Sequence, residues 1–260
     1  MIQFVHTYPY LMLSLTMFGI FMIGLGVCPR QFRPTMILSG ALAAPFALTS
    51  ALVVPEYWNP ARVAVFLAGP EDIVFTFASA SIAWLASVWL LRHRITLLPR
   101  PRRMIWRYIG GAVGGLVVGG IGCRLGGSPN TATVAAFSAL TLIILWRRRW
   151  FWSLAFAGSL GYAILYVSVL KIWYVLVPDF VAQWNSRALW GPVIFGLPLD
   201  EIVWAAAFGA AWPVFAMYLF DSKLLPRARI AAPAVKTDGG HPTEGDVEQT
   251  YECAGSVRHV

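Results

Sequence analysis

The fold is decided by the stretch "GLPLDEIVWAAAFGAAWPVFAMYLF", residues 196–220. After its first few residues it is apolar for about 20 residues, the length with which a helix crosses the hydrocarbon of a bilayer. Two adjacent acids, Asp200 and Glu201, stand at its head. An ionised side chain at membrane depth costs a few kcal/mol or more, so it needs a partner, a water-filled cavity or a chemical task.

The whole chain shares this apolar character. Its residues are 58% hydrophobic and only 12% charged, with a mean hydropathy of +0.65. These values are atypical of soluble domains and predict an integral membrane protein. We therefore predict an all-α membrane protein with seven transmembrane helices. The predicted spans are residues 9–27, 35–54, 73–91, 104–122, 131–146, 152–177 and 200–220.

Basic residues are concentrated in every second loop. Lys and Arg cluster after the first, third, fifth and seventh predicted spans and are sparse between the others. Cytoplasmic loops are enriched in these residues, so we expect a plasma-membrane protein with its N-terminus outside and its C-terminus in the cytoplasm. The formal net charge of +8 then reflects topology, and no basic face with aromatic residues indicates a nucleic-acid site. Residues 223–260 are expected to form a disordered cytoplasmic tail.

Two segments of the chain follow one plan. They are "VPEYWNPARVAVFLAGPEDIVFTFASASIAW" (54–84) and "VPDFVAQWNSRALWGPVIFGLPLDEIVWAAAFGAAWP" (177–213). In each, Val-Pro-acid is followed by Trp-Asn, a short apolar run, a proline, two acids and Ile-Val-aromatic. This matching aligns the first acid pair with the second and predicts an internal repeat.

The repeat predicts the organisation of the chain. A first three-helix repeat at 1–97 and a second at 128–222 are joined by a linking helix at 98–127. Because a single span separates them, both repeats cross the membrane in the same direction. In such parallel repeats, ligand sites favour the cavity between the halves.

The linking span contains the glycine-rich sequence "GGAVGGLVVGGIG". Gly111, Gly115 and Gly119 are four residues apart and share one helix face, and small residues let membrane helices approach closely. A phosphate-binding loop is the alternative, but its strand–loop–helix context and its Lys are missing. We expect this face to pack against another helix.

The acid pairs have a simple structural explanation as helix caps. Pro70 and Pro198 suit the first turn of a helix, where acids complement the helix dipole. A functional role is favoured because the acids recur at matched positions, each after an apolar run (62–69 or 188–197) suited to dip into the bilayer. Irregular backbone at that depth lines a cavity or is buried in protein. The acids expected to face the cavity between the halves are Glu71, Asp72, Asp200 and Glu201.

Aromatic side chains follow the second acid pair at helical spacing. Trp204, Phe208 and Trp212 lie three, seven and eleven residues after Glu201 and share its helix face, and Phe75 repeats the start of this stripe in the first half. Packing is the ordinary explanation of such residues. Beside a carboxylic acid, however, their π-faces can also stabilise a cation.

This constellation resembles the integral-membrane, flavin-independent lycopene cyclase family, whose domains occur as separate subunits or as one fused chain. The resemblance covers residues 8–221 and rests on the Pro-x-acid-acid motif at 198–201, its counterpart at 70–72, the Trp-Asn pair upstream of each and the three-plus-three plan. Such proteins convert the linear ends of lycopene or related carotenoids into rings without net redox change.

The resemblance also implies a mechanism. A carboxylic acid protonates the terminal double bond of the polyene, the neighbouring double bond attacks the resulting cation, and a base removes a proton. It implies a hydrophobic polyene substrate reached from the lipid bilayer, no metal, no required organic redox cofactor, and association with other carotenoid enzymes. The four acids are the implied catalytic residues. The implied substrate-binding residues are Phe75, Trp204, Phe208, Trp212, Asn59 and Asn185.

Departures from the family pattern leave the proton donor open. The first motif lacks a spacer between Pro70 and the acids, and the second has Asp200 where the family usually has Glu. Either half could therefore be structural. Lys171 has no counterpart in the first half; it either extends to the membrane surface, pairs with Asp200 or Glu201, or carries a retinal-type Schiff base.

Two other functions fit the same residues. A small proton- or cation-coupled transporter would bind its ion at the acids between the repeats, but a solute pathway needs several polar side chains at mid-depth and the spans offer mainly Ser, Thr and Gly. A non-catalytic membrane scaffold would use the acids only as caps. The predicted function is a carotenoid cyclase, an isomerase-type membrane enzyme.

Overall fold

Seven long helices make up most of the computed structural model, which describes residues 7–63, 68–98 and 100–224. Each is long and apolar enough to cross a membrane. In chain order they are α1 (Pro9–Val27), α2 (Arg30–Val53), α3 (Pro70–Trp89), α4 (Pro101–Arg124), α5 (Pro129–Arg147), α6 (Arg149–Leu176) and α7 (Leu199–Leu219). The prediction of an all-α membrane protein with seven transmembrane helices is confirmed.

Helix α2 is not a regular α-helix along its whole length. Its central α-helix, Arg33–Ala43, continues as a 3₁₀-helix, Ala44–Thr49, and ends in the short α-helix Ser50–Val53. Pro45 lies at this change because proline has no N–H for the α-helical hydrogen bond. Residues of the 3₁₀ segment line the cavity described below.

Proline places both acid pairs in the first turn of a helix. Pro70 opens α3, and Pro198 directly precedes α7. At the first helical position the missing N–H of proline is not needed, so the helix starts there at little cost. The acids that follow are therefore held at equivalent places, one pair at the start of each helix.

Helices α3 and α7 form the centre of the bundle. Helices α1 and α2 pack on α3, α5 and α6 pack on α7, and α3 contacts both α6 and α7. Helix α4 packs mainly on α5 and contains no buried residue. This arrangement is compatible with two three-helix units joined by α4, although the repeat itself stays a prediction.

The two Trp-Asn segments meet each other. Trp58 and Trp184 form an antiparallel β-bridge and stack with their ring centroids 5.8 Å apart. The Asn59 N–H donates to the Gln183 carbonyl, and the Asn185 N–H donates to the Tyr57 carbonyl, both at 2.9 Å. Equivalent positions of the two segments are thus joined reciprocally, as a local two-fold relation between the halves requires.

The glycine face of α4 does not pack as expected. A Cβ at Gly111 would collide with the Phe215 ring, but a Cβ at Gly115 or Gly119 would meet no described atom within 4 Å. The prediction was wrong for these two glycines because they face a cavity instead of a neighbouring helix. Close packing through glycine occurs instead where Gly158 and Gly209 bring α6 and α7 together.

Four short strands complete the described part of the chain. Strand β1 (Ile95–Thr96) pairs with β4 (Lys223–Leu224), and β2 (Val193–Ile194) pairs with β3 (Leu197–Pro198), all antiparallel. The second apolar run therefore ends in a hairpin whose turn contains Gly196 at a φ of +79°. The first two residues of the predicted tail, Lys223 and Leu224, thus form a strand instead. Four residues of the first run, 64–67, and the rest of the predicted tail, 225–260, lie outside the described residues.

Candidate active site

A cavity of about 170 Å³ lies beside the first turns of α3 and α7. We call it the acid cavity because Asp72 and Glu201, the inner acids of the two pairs, both line it. The predicted aromatic residues that line it as well are Phe75, Trp204 and Phe208. The structure thus brings one acid from each half, with three of the predicted rings, into a single space.

Glu201 is held by three uncharged donors. The Tyr57 hydroxyl and the Trp184 indole N–H donate to its Oε1 at 2.9 and 3.0 Å, and the Tyr166 hydroxyl bonds to its Oε2 at 2.9 Å. The residue is only 7% exposed. Among the described residues no cation lies within salt-bridge distance of this carboxyl group. Within this part of the chain, Glu201 therefore has hydrogen-bond donors but no counter-ion.

Tyr57 connects Glu201 to the start of α5. Burial, and then the neighbouring Glu201 carboxyl, raise the pKa of the Tyr57 hydroxyl above its ordinary value, so this hydroxyl keeps its proton. The Asn130 side-chain N–H₂ donates to the Tyr57 oxygen at 3.2 Å and to the Asp200 backbone carbonyl at 3.3 Å. The hydroxyl is thereby oriented with its proton towards Glu201.

Asp72 has a cation beside it. Its Oδ2 lies 3.4 Å from Arg62 Nη2, and both side chains are almost fully buried. The Tyr10 hydroxyl donates to Oδ1 at 2.9 Å, and the Gly69 N–H donates to Oδ2 at 2.8 Å. A buried charge is stable when it is paired and hydrogen-bonded, and Asp72 has both kinds of partner.

The helix-cap explanation holds for one inner acid only. The bond from Gly69 N–H to Asp72 is the acid half of a capping box, in which the side chain satisfies a free N–H at the helix start. Glu201 instead bonds to side chains of Tyr57, Tyr166 and Trp184, which come from outside α7. Capping alone does not account for its position.

The outer acids, Glu71 and Asp200, do not line the acid cavity. Glu71 Oε1 accepts the Val63 N–H at 3.1 Å, and Asp200 Oδ2 accepts the Trp190 N–H at 3.0 Å. The second oxygen of each has no hydrogen-bond partner among the described residues. Both outer acids thus fasten the loop that precedes their own helix.

The aromatic stripe of α7 forms a stacked row. Trp204 and Phe208 are 5.3 Å apart and nearly parallel, and Trp212 continues the row 6.4 Å from Phe208. Phe75 stacks on Trp204 from the other half at 6.5 Å. Trp212 lies outside the acid cavity, where its indole N–H donates to Ser39. Of the predicted rings, the three nearest the acids face the cavity.

The remaining predicted residues lie elsewhere. Asn59 and Asn185 are outside the acid cavity and join the two Trp-Asn segments; the side chain of Asn185 also donates to the Glu56 carbonyl at 2.8 Å. Lys171 Nζ donates to the Phe195 carbonyl at 2.8 Å, and within the described part of the chain it forms no ion pair with Asp200 or Glu201. Its exposed side chain favours the snorkelling interpretation.

The side chains that hold the inner acids were missed in the sequence. Trp184 belongs to the Trp-Asn motif, of which only the asparagine was predicted to bind substrate, and Tyr57 lies between the Val-Pro-acid and Trp-Asn motifs. Tyr166 follows Tyr162 by one helical turn in an otherwise apolar span, a pattern that could have marked a buried polar site. No local signal marks Tyr10 as a partner of Asp72.

The fold and the site define a class of protein: a seven-helix membrane protein with two carboxyl groups and aromatic rings around one buried cavity. Residues 130–220 match the model of a family described as lycopene cyclase. The match confirms the lycopene cyclase resemblance over this part of the chain and indicates an enzyme of carotenoid biosynthesis. Neither the curated proteins nor the solved structures gave a match.

The matched stretch covers α5 to α7 and includes Glu201 with two of its donors, Tyr166 and Trp184. Asp72 and Tyr57 come from the part of the chain before it. The acid cavity is therefore formed by residues that precede α4 in the chain together with residues that follow it.

Proposed function

We propose that the protein is a carotenoid cyclase that forms end rings of lycopene or a related linear carotenoid by acid catalysis within the membrane. One observation carries the proposal: the two inner acids line one aromatic cavity, but among the residues that the structure describes only Asp72 has a cation beside it. A general acid and a general base need such different surroundings, and pairs of carboxyl groups held in this way identify the two roles.

Glu201 is the proposed proton donor. Its partners are uncharged, so the protonated carboxyl fits this buried position better than an unpaired charge does. The Trp184 N–H and the Tyr57 hydroxyl both donate to Oε1, so Oε2 carries the proton in the neutral acid, and the Tyr166 hydroxyl then accepts at Oε2 instead of donating. This proton passes to the terminal double bond of the carotenoid.

The cation formed by protonation lies among aromatic rings. Phe75 and Trp204, one from each half, both line the acid cavity beside the acids. The faces of such rings attract a cation by about 1 kcal/mol, and by more when water is excluded. The neighbouring double bond then supplies the electron pair of the new ring bond, and the positive charge moves to a ring carbon.

Asp72 is the proposed base. As a carboxylate beside Arg62 it removes a proton next to the ring cation, and the electrons of that C–H bond form the ring double bond. One proton is gained and one is lost, so the product is an isomer of the substrate and neither oxidant nor reductant is consumed. Exchange of protons with water returns both acids to their starting forms.

Expression in a host that accumulates lycopene tests this function. We expect the parent chain to convert the linear pigment into a product of the same mass with at least one ring, as shown by chromatography and mass spectrometry. A host that contains normal amounts of the protein and only linear pigment would contradict the proposal.

A transporter is less well supported by the lining of the cavity. Beyond the acids, the space that continues from the acid cavity is bounded mainly by aromatic and aliphatic side chains and by glycine. A path for a hydrated ion or solute needs a succession of polar groups instead. The surroundings of the acids suit an apolar substrate.

For orientation we propose the plasma membrane, with the N-terminus outside. Arg100, Arg107 and Arg148, from two basic stretches of the chain, all lie within 4 Å of Asp221 at the end of α7 opposite the acids. Such a basic end favours the cytoplasm and places the acid cavity near the outer face. A reporter fused after Val260 should be active in the cytoplasm; activity only outside would overturn this orientation.

A further inference from the structure

A second cavity of about 420 Å³ continues from the acid cavity towards α4. We call it the glycine groove because Gly115, Gly119 and Gly120 of α4 form one of its walls. The two spaces adjoin each other, since they share lining residues from α2, α3, α5 and α7. The shared residues are Phe46, Thr49, Thr76, Thr133, Phe137 and Phe208.

The glycine groove is apolar and opens towards lipid. Trp212 and Phe215 line it on the side of α7. Leu52 of α2 and Leu116 of α4 also line it, yet they are 60% and 55% exposed. In a membrane-spanning part of the chain, exposure means contact with lipid tails. The groove thus connects the hydrocarbon of the bilayer to the two inner acids.

The acid cavity is too small for a whole carotenoid. Its volume is about 170 Å³, and an apolar cavity of about 150 Å³ holds a molecule the size of benzene. One end group fits such a space, but the long conjugated chain attached to it must lie elsewhere. The glycine groove is the continuous apolar space beside it.

We propose that the glycine groove binds the polyene chain of the carotenoid whose end group occupies the acid cavity. This inference rests on the proposed function and adds the position of the rest of the substrate. It also explains why Gly115 and Gly119 contact nothing: a Cβ there would meet no described atom within 4 Å, so the space they leave is available to a flat, rigid chain.

The substitution Gly119→Leu tests the groove, with Gly114→Leu as the matched control. Both glycines lie on α4, and a Cβ at either would meet no described atom within 4 Å. Gly119 lines the glycine groove, whereas Gly114 lines a different cavity, between α4 and α5. The same change of residue type on the same helix therefore fills the groove in one variant only. Melting in detergent shows whether both variants fold as the parent does.

Cyclisation rates on a long and a short substrate distinguish a defect in the groove from a defect in the chemical step. With lycopene as substrate we expect Gly119→Leu to cyclise roughly tenfold more slowly than the parent, the scale on which a misfit of a few methylene groups in an apolar pocket is felt. With an acyclic terpene that has the same end group and a short chain, it should act at the parental rate. Gly114→Leu should match the parent on both. The proposed role of the groove would be contradicted if Gly119→Leu cyclised lycopene as fast as the parent. It would also be contradicted if the variant lost the same fraction of its rate on both substrates.

Binding provides a test that does not depend on turnover. A bound polyene quenches nearby tryptophan, and Trp212 lines the groove. Lycopene should quench the fluorescence of the parent and of Gly114→Leu at concentrations that leave Gly119→Leu unaffected. If the parent binds lycopene but forms no ring, the proposed function fails while the groove stands. If lycopene quenches the fluorescence of Gly119→Leu as it does that of the parent, the proposed binding of the polyene in the groove is wrong, even when cyclisation is observed.

Discussion

The outer acids of the two halves are held alike, whereas the inner acids are not. Glu71 and Asp200 each accept one backbone N–H from the loop before their helix. Asp72 faces Arg62, but the side chains of the described residues that bond to Glu201 are all uncharged. Two halves built on one sequence plan thus share their loop anchors and differ at the residues that meet in the cavity. In the proposed function, these equivalent positions have separate chemical tasks.

The largest effect is expected at Glu201. The variant Glu201→Gln keeps shape and hydrogen bonding but has no acidic proton, and a general acid typically contributes about a hundredfold or more to the rate. We expect linear lycopene to accumulate at normal protein levels, as measured by pigment chromatography. The outer acid of the same pair provides the control: Asp200→Asn should still form rings. If Asp200→Asn loses ring formation and Glu201→Gln does not, the assignment of inner and outer acids is reversed.

Asp72→Asn should also stop ring formation, and it should cost stability. Removing one partner of a buried ion pair leaves the other charge unpaired, which typically costs about 3 kcal/mol or more. The melting temperature in detergent should therefore fall further than in Glu201→Gln. Glu71→Gln, the outer acid of the first half, should keep activity.

The role of Arg62 can be separated from that of the base. Replacing both members of the pair, in Asp72→Asn/Arg62→Met, removes the unpaired charge and should restore part of the melting temperature. Ring formation should not return, because the base is still missing. A double variant that cyclises lycopene would show that Asp72 acts only through its ion pair.

A smaller effect is expected from the donors to Glu201. Tyr57→Phe and Tyr166→Phe each remove one hydrogen bond to the carboxyl group, and a lost hydrogen bond costs about 1 kcal/mol on average. Each variant should fold with slightly reduced stability and cyclise several-fold more slowly. Tyr162→Phe is a suitable control, since its hydroxyl has no hydrogen-bond partner among the described residues. Loss of activity in Tyr162→Phe equal to that in Tyr166→Phe would argue against a specific role of the Glu201 partners.

The smallest effect is expected at the opposite end of the bundle. Burial acts to raise the pKa of Asp221, but the hydrogen bonds and charges of Arg107, with Arg100 and Arg148, hold the pKa below its ordinary value. This stabilisation is present above the ordinary pKa of about 4 and is lost as the pH falls through the lower folded value. At neutral pH, Asp221→Asn should therefore have a lower melting temperature than the parent. Its free energy of unfolding should be smaller by about 1 kcal/mol or less.

The gap in melting temperature between Asp221→Asn and the parent should close as the medium is made more acidic than about pH 4, and it should narrow in high salt. A gap that is unchanged by both acid and salt would mean that Asp221 stabilises the bundle by packing alone. Pigment formation should be unaffected, since Asp221 lies at the other end of α7 from the acids.

The helices, and the positions of Asp72 and Glu201 beside a cavity, could be predicted from the sequence because both depend on local patterns. Apolar runs of span length and prolines in first turns set α3 and α7, and a helical spacing aligned Glu201 with Trp204 and Phe208. The division into inner and outer acids was not predicted. It depends on the direction of two neighbouring side chains in one helical turn, which both motifs leave open.

The partners of the inner acids could not be read from the sequence because they are distant along the chain. Tyr57 is 144 residues from Glu201, and Tyr10 is 62 residues from Asp72. The spacing of Gly115 and Gly119 was read as packing, but spacing cannot show whether a neighbouring helix is present. The open space beside these glycines became visible only from the positions of α2, α5 and α7.

Cyclisation of lycopene in heavy water tests the central claim most directly. If an acid in the cavity adds a proton from water and a base removes another, each ring formed carries one solvent-derived deuterium in place of a substrate hydrogen. Mass spectrometry of the product from the parent chain should show this gain, and Glu201→Gln should yield only unlabelled linear lycopene. Rings that form without deuterium, or a product whose mass in ordinary water differs from that of lycopene, would contradict acid-catalysed isomerisation at this site.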